Sequence, residues 1–270
     1  MKREASIGVF DSGVGGLSIL RALRAELPHE HFVYLADNGH APYGERGDGY
    51  VIARSRAIVQ HLRSQHHIKA LVVACNTATA AAIHLLRAEH PGFALIGVEP
   101  ALKSSVSLSQ TGHVGVIGTQ GTLSSAKFLA LRDSLAGQVR FTIQPCAGLA
   151  HAIETDNAME KVALCARYIR AMGRFGHEPG DMDTLVLGCT HYTFASDAIT
   201  AHLPPGVHLV ETGQPVARQT RSVLAQAHLL RPDHASPPQV QLFSTGACEL
   251  LHNAAWHWLG LSEPASPLHC

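Results

Sequence analysis

Short apolar, β-branched runs alternate along the chain with longer stretches of helical periodicity. The strand-like runs are Ala5–Phe10, His31–Ala36, Ile68–Ala74, Ala94–Val98, Gly115–Thr119, Val139–Gln144, Leu185–Gly188, Val207–Val210 and Gln239–Thr245. Between them, Leu17–Leu27, Tyr50–Gln65, Thr77–His90, a stretch after Glu99-Pro100 to about Ser109, a segment starting near Glu154, Lys161–Phe175, Pro215–Leu230 and Ala247–Leu259 read as helices, several of them closed by Pro or Gly. Strands alternating with helices at this pitch predict parallel sheets with crossover helices, an α/β fold. Arg231–Pro238 is loop-like by composition, and the residues running to Cys270 are expected to be frayed.

Two strands end in the same way. Leu71-Val72-Val73-Ala74-Cys75-Asn76-Thr77-Ala78-Thr79 passes from an apolar run through a cysteine into an alanine-rich helix start, and Leu185-Val186-Leu187-Gly188-Cys189-Thr190-His191-Tyr192 again delivers a cysteine followed by hydrogen-bonding side chains. The first turn of a helix exposes unpaired N–H groups and the positive end of the macrodipole. A thiol held there is a better base or nucleophile, and the same donors accept an anion such as a carboxylate. Asn76, Thr77 and Thr190 add side-chain donors. The opening pattern also recurs, since Gly115-Val116-Ile117-Gly118-Thr119 resembles Gly8-Val9-Phe10-Asp11-Ser12 at an offset of 107 while Cys189 follows Cys75 by 114. Two offsets that agree this closely predict a duplicated α/β unit whose half-sites face a common cleft.

Composition then narrows the chemistry. Lys plus Arg equals Asp plus Glu at 21 each, so no basic field recruits nucleic acid, and no nucleic-acid partner is expected. No apolar run reaches the length of a membrane span and no signal peptide opens the chain, which predicts a soluble, cytoplasmic protein. The six cysteines form no CxxC pair or disulfide framework, and the 19 histidines, most of them expected at the surface, form no zinc-binding spacing, so no metal site is expected. Gly13-x-Gly15-Gly16 after the first strand departs from GxGxxG, which argues against a dinucleotide; it suits instead a backbone brought close to a small substrate, with Asp11 and Ser12 at the carboxyl end of the strand. The turn-rich stretch Asp37–Arg46 fits an ordinary surface connection as well as a binding loop.

Ile7-Gly8-Val9-Phe10-Asp11-Ser12-Gly13-Val14-Gly15-Gly16-Leu17, Pro42-Tyr43-Gly44, Ala74-Cys75-Asn76-Thr77-Ala78 and Leu187-Gly188-Cys189-Thr190-His191-Tyr192 together resemble the glutamate racemase family, in order and at fitting spacing from Ile7 to about Gly260. The resemblance implies two pseudo-symmetric α/β domains with parallel-rich sheets flanked by helices and an active site in the cleft between them, here residues 1–98 plus 210–270 and residues 99–209. It implies cofactor-independent interconversion of L- and D-glutamate, supplying D-glutamate for peptidoglycan, and a possible homodimer. By the same resemblance Cys75 and Cys189 are the two acid/base groups, Cys75 acting on D-glutamate and Cys189 on L-glutamate. Asp11 and His191 assist them, and Glu154 corresponds to an acidic residue near the second cysteine. Ser12, Pro42, Tyr43, Gly44, Asn76, Thr77, Thr119 and Thr190, with Asp11 and His191, are the implied substrate contacts.

The sequence departs from the family where Thr193-Phe194 replaces a usual Pro-Leu and where Glu211-Thr212-Gly213 replaces an Asp-Ser-Ala-like turn. Aspartate racemase and related two-cysteine enzymes share the plan and stay open as alternatives, as does a non-catalytic protein binding an acidic amino acid, although a pure binder has no need of two thiols.

Overall fold

The computed structural model describes residues 2–232 and 236–270. In chain order the elements are β1 (Ile7–Asp11), α1 (Leu17–Glu26), β2 (Phe32–Ala36), α2 (Asp48–Gln65), β3 (Ala70–Val73), α3 (Asn76–Glu89), β4 (Ala94–Gly97), α4 (Leu102–Leu108), β5 (His113–Gly118), α5 (Gln120–Leu123), α6 (Ala126–Ser134), β6 (Arg140–Pro145), α7 (Leu149–Glu154), α8 (Ala158–Ala171), β7 (Thr184–Gly188), α9 (Ser196–Thr200), β8 (His208–Val210), α10 (Gly213–Gln226), β9 (Val240–Ser244), α11 (Cys248–Leu259) and β10 (Ala265–Pro267). They form two compact units, one of residues 1–98 and 213–270, the other of residues 99–212. The second unit runs on to Thr212, past the expected 209, because β8 pairs with β7 through Val210.

The first unit holds a six-stranded parallel sheet in the order β10-β9-β2-β1-β3-β4. Its central strands are buried on both faces, which is why Ile7–Phe10 and Ala70–Val73 read as unbroken apolar runs. One face, with Phe10, Val33, Leu35, Leu71 and Val73, packs against Val51, Ile58, Val59 and Leu62 of α2 and Ala82, Ile83 and Leu86 of α3. The second unit holds a four-stranded parallel sheet, β6-β5-β7-β8, with Val114, Val116, Val186 and Val210 against Leu102, Leu123 and Phe128. Leaving aside β9 and β10, which extend the first sheet beyond β2, both sheets have the same order, second-first-third-fourth, as a duplication requires.

Several expectations are corrected. The chain end is not frayed: Ala265–Pro267 adds a parallel edge strand to β9, the Leu268 amide donates to the Ser244 carbonyl, and Leu268 is buried. The helix expected to begin near Glu154 ends there, having started after Gly148, whose φ of +77° turns the chain out of β6. Between Thr119 and Val139 lie two helices that periodicity alone missed, and their signal was the caps: the Thr119 and Ser125 hydroxyls accept from the Thr122 and Phe128 amides. In the loop-like segment Arg231 is buried, while Asp233, His234 and Ala235 fall outside the described residues.

Around the amino ends of β1 and β3, charge is buried rather than excluded. Lys69 Nζ lies 2.5 Å from Glu30 Oε2 with both side chains buried, and it also donates to the Arg3 carbonyl at 2.6 Å. Glu30 Oε1 accepts the Arg231 amide at 3.0 Å. Burial pulls the Lys69 ammonium below its ordinary range, and the hydrogen bond it donates to Glu30 works back against that. Breaking such a pair strands one charge, so Glu30→Ala is expected to lower unfolding stability by about 3–5 kcal/mol. Urea titration checks this as a fall in midpoint at unchanged slope.

Candidate functional site

Most of the predicted residues lie at or just past the carboxyl ends of the strands, where open α/β sheets present their side chains to ligands, while Pro42, Tyr43 and Gly44 lie in the loop after β2 and Glu154 ends α7. Asp11, Ser12, Pro42, Tyr43, Gly44, Cys75, Asn76 and Thr77 belong to the first unit, and Thr119, Glu154, Cys189, Thr190 and His191 to the second.

In the first unit the register Phe10↔Val73 carries on past the strand ends to set Ser12 beside Cys75. The Cys75 thiol donates to Ser12 Oγ at 3.6 Å, and the Ser12 hydroxyl leans on Asp11 Oδ1 at 3.4 Å. Asp11 Oδ1 also takes the Gly13 amide at 2.8 Å. Thiol, hydroxyl and carboxylate thus form a chain with all three groups buried. Cys75 is the N-cap of α3, and its sulfur accepts the Ala78 amide at 3.4 Å. Gly16 is what permits this packing: a Cβ there would lie 2.5 Å from Asp11 Cβ. The glycine-rich turn therefore closes on a carboxylate of its own chain.

Asn76 and Thr77 open α3, both buried. The Asn76 amide is the notable group, because neither its Nδ2 nor its Oδ1 has a hydrogen-bond partner among the described residues. A buried amide left so costs about 1–3 kcal/mol, which a ligand bearing both donors and acceptors can recover. Pro42 and Gly44 are half-buried and flank Tyr43, which is fully buried in a 3-10 turn. The Tyr43 hydroxyl donates to Asp37 Oδ2, and burial together with that carboxylate holds the phenol far above its ordinary range, hence neutral. Asp37–Arg46 is accordingly a packed loop rather than a simple surface connection.

In the second unit the register Gly118↔Gly188 sets Thr119 beside Cys189. Gly188 cannot be larger, since its Cβ would sit 2.7 Å from the Ile117 carbonyl oxygen. Cys189 and Cys75 lead into different structures: Thr190–Ala195 is a 3-10 turn rather than an α-helix, and the Cys189 side chain makes no cap hydrogen bond. Its partner is instead His191, whose Nδ1 lies 3.7 Å from Sγ while Nε2 lies 2.7 Å from Glu154 Oε2. This is a second chain of thiol, relay group and carboxylate. Burial disfavours a charged imidazole here, but the hydrogen bonds to Cys189 and Glu154 outweigh it and hold His191 well above the ordinary histidine range. Thr119 caps α5, its hydroxyl donating to Thr122 Oγ1 at 2.9 Å, and Thr190, which follows Cys189 in the chain, is buried.

Known proteins share much of the sequence and the fold. The profile of the Asp/Glu/hydantoin racemase family matches residues 17–220. The glutamate racemase of Ectopseudomonas mendocina is 46% identical over 230 residues, which is 84% of this chain and 85% of that protein. The chain belongs to the glutamate racemase family. Its fold agrees: a glutamate racemase isoform of Bacillus anthracis superposes with a TM-score of 0.87 at 29% identity, covering 99% of this chain and 98% of its own. The Escherichia coli glutamate racemase, solved with L-glutamate and the activator UDP-MurNAc-Ala, superposes at 0.85 with 30% identity over 98% of both chains.

As a member of the glutamate racemase family the chain is an isomerase, and among its described residues no group of three or more His, Cys, Asp or Glu is placed to hold a metal ion. No helix among them is long and apolar enough to cross a membrane. Sequence reasoning missed Asp37, Arg54 and Thr245, which lie beneath Tyr43; the only signal was an acidic residue directly after a buried strand.

Because the folded state raises the His191 pKa, the Glu154 contact contributes most below the ordinary histidine value of about 6.5 and fades as pH rises through the raised value. Glu154→Gln is expected to move the His191 titration midpoint down, followed by NMR of its ring carbons. The stability gap between parent and variant should be widest near pH 6 and close toward alkaline pH; an unmoved midpoint would contradict the assignment.

Proposed function

We propose that the protein interconverts L- and D-glutamate without a cofactor, by proton transfer between the substrate α-carbon and two thiols, Cys75 and Cys189. The observation that carries this is the repeated half-site: the third strand of each sheet delivers a cysteine, and each thiol is joined through one relay group to a buried or half-buried carboxylate. Removing and returning a proton on opposite faces of one carbon calls for two acid/base groups, which a binding protein would not need.

Starting from L-glutamate, Cys189 as thiolate takes the α-proton, and the electron pair left on carbon delocalises into the α-carboxylate. Cys75 as thiol gives its proton to the opposite face, leaving D-glutamate, a Cys189 thiol and a Cys75 thiolate. The reverse reaction exchanges these roles, so no proton, electron or group is lost. A charged His191 complements a negative sulfur at Cys189, with Glu154 holding its ring. At Cys75 the Ala78 amide supports the anion, while Ser12, held by Asp11, accepts a hydrogen bond from the thiol and orients its proton. Asn76, Thr77, Thr119 and Thr190, with Tyr43 and Gly44 beside Pro42, hold the two carboxylates and the ammonium group. Donors fixed in advance on the α-carboxylate favour the electron-rich transition state more than the ground state. The choice of glutamate over aspartate rests on the named relatives and on the Pro42-Tyr43-Gly44 loop. In the cell this reading makes the protein a cytoplasmic supplier of D-glutamate for peptidoglycan, working as a homodimer.

The test is the loss of circular dichroism of L-glutamate and of D-glutamate with purified protein and no added cofactor. Cys75→Ser and Cys189→Ser should each slow both directions by about 10²–10⁴-fold, since either direction needs both groups. A variant that keeps parental rates from both enantiomers would remove that cysteine from the mechanism.

A further inference from the structure

The proposed proton transfer leaves the charged cluster beneath Tyr43 unused. Asp37, fully buried directly after β2, accepts four hydrogen bonds. Its Oδ2 takes the Tyr43 hydroxyl and Arg54 Nε, the latter at 3.0 Å. Its Oδ1 takes Arg54 Nη2 at 2.8 Å and the Thr245 hydroxyl at 2.8 Å. An ionised carboxylate has about four lone-pair sites, so this one is saturated. The Asp37 amide in turn donates to the Asp11 carbonyl at 2.9 Å, joining the cluster to the end of β1, where Asp11 leads into Ser12. Arg54, on α2, has a side chain only 12% exposed, and its Nη1 donates to the Cys270 carbonyl at 2.7 Å.

The hydroxyl proton of Tyr43 is thus committed to Asp37, and its ring is held edge-on to Phe10, with centroids 6.3 Å apart. A lone buried carboxylate would draw in other donors or water. The planar two-pronged guanidinium is what lets Asp37 face Tyr43 in one orientation, and a lysine ammonium cannot reproduce the fork.

We infer that Arg54 is a positioning residue for substrate, acting through Asp37 to fix the hydroxyl and ring of Tyr43 against the bound glutamate. The inference rests on the proposed glutamate site and adds to it a residue that touches no reacting atom. Tyr43 holds substrate alike in ground and transition states, so the effect falls on KM rather than on kcat.

The experiment is a double-mutant cycle of Arg54→Lys and Tyr43→Phe, with kcat, KM, glutamate Kd by calorimetry and thermal midpoint measured for all four proteins. Arg54→Lys should raise KM and Kd by about tenfold, the size of one charged hydrogen bond, with kcat within about twofold. In the Tyr43→Phe background the same change should alter KM and Kd by less than about twofold, because the two residues act in series. Full multiplication of the two effects would overturn the inference, as would a lowered midpoint with KM and Kd unchanged, which would leave Arg54 a staple between α2 and the sheet. Should Arg54→Lys not fold, Thr245→Val removes a neutral donor from the same carboxylate and runs the same cycle. A parent that binds glutamate without turnover defeats the racemase reading, and Kd then still decides the role of Arg54.

Discussion

Register between neighbouring parallel strands is the constraint on which everything else in this protein depends. In each unit the third strand runs beside the first, and side chains one or two residues past the last ladder pair meet at the carboxyl edge. A slip of one residue would turn Cys75 or Cys189 to the other side of the sheet. Both strands are buried on both faces, so the packing that stabilises each unit also fixes where its thiol points.

In the proposed reaction the two half-sites solve one chemical problem with different parts. At Cys75 a helix amide faces the sulfur, and a neutral hydroxyl stands between thiol and carboxylate. At Cys189 the adjoining turn is 3-10, the side chain makes no cap hydrogen bond, and a histidine whose pKa is raised by its hydrogen bonds to Cys189 and Glu154 takes that place. The two ends of β3 differ: the paired Lys69–Glu30 charges lie where it begins, while the carboxyl end carries Asn76, whose amide is unmatched among the described residues. Such unmatched polar groups weaken an unliganded fold and strengthen its hold on a polar ligand.

Much of this was legible in the sequence, because the signals were local. Apolar runs closed by cysteine marked β3 and β7, and the repeated offsets marked the duplication. What escaped was of two kinds. Short elements such as α5, α6 and β10 bury too little to impose a period, and they depend on caps or on pairing with β9, a partner distant in sequence. Polar clusters assembled from distant segments were equally invisible: Asp37 draws on residues 43, 54 and 245, and Glu30 on residues 69 and 231. A lone Asp or Lys looks solvated until its partners are in place.

The central claim is that two separate groups work on opposite faces of one carbon, and the position of the isotope tests it most directly. Protiated L-glutamate is incubated with the protein in deuterated buffer and sampled before a tenth of it has reacted, and the two enantiomers are separated for mass analysis. The account predicts deuterium at the α-carbon of the D-glutamate formed and almost none in the L-glutamate left behind, since the group that donates is not the group that abstracted. Protium carried over into the product, or deuterium appearing equally in both enantiomers, would show one group serving both faces and would contradict the account.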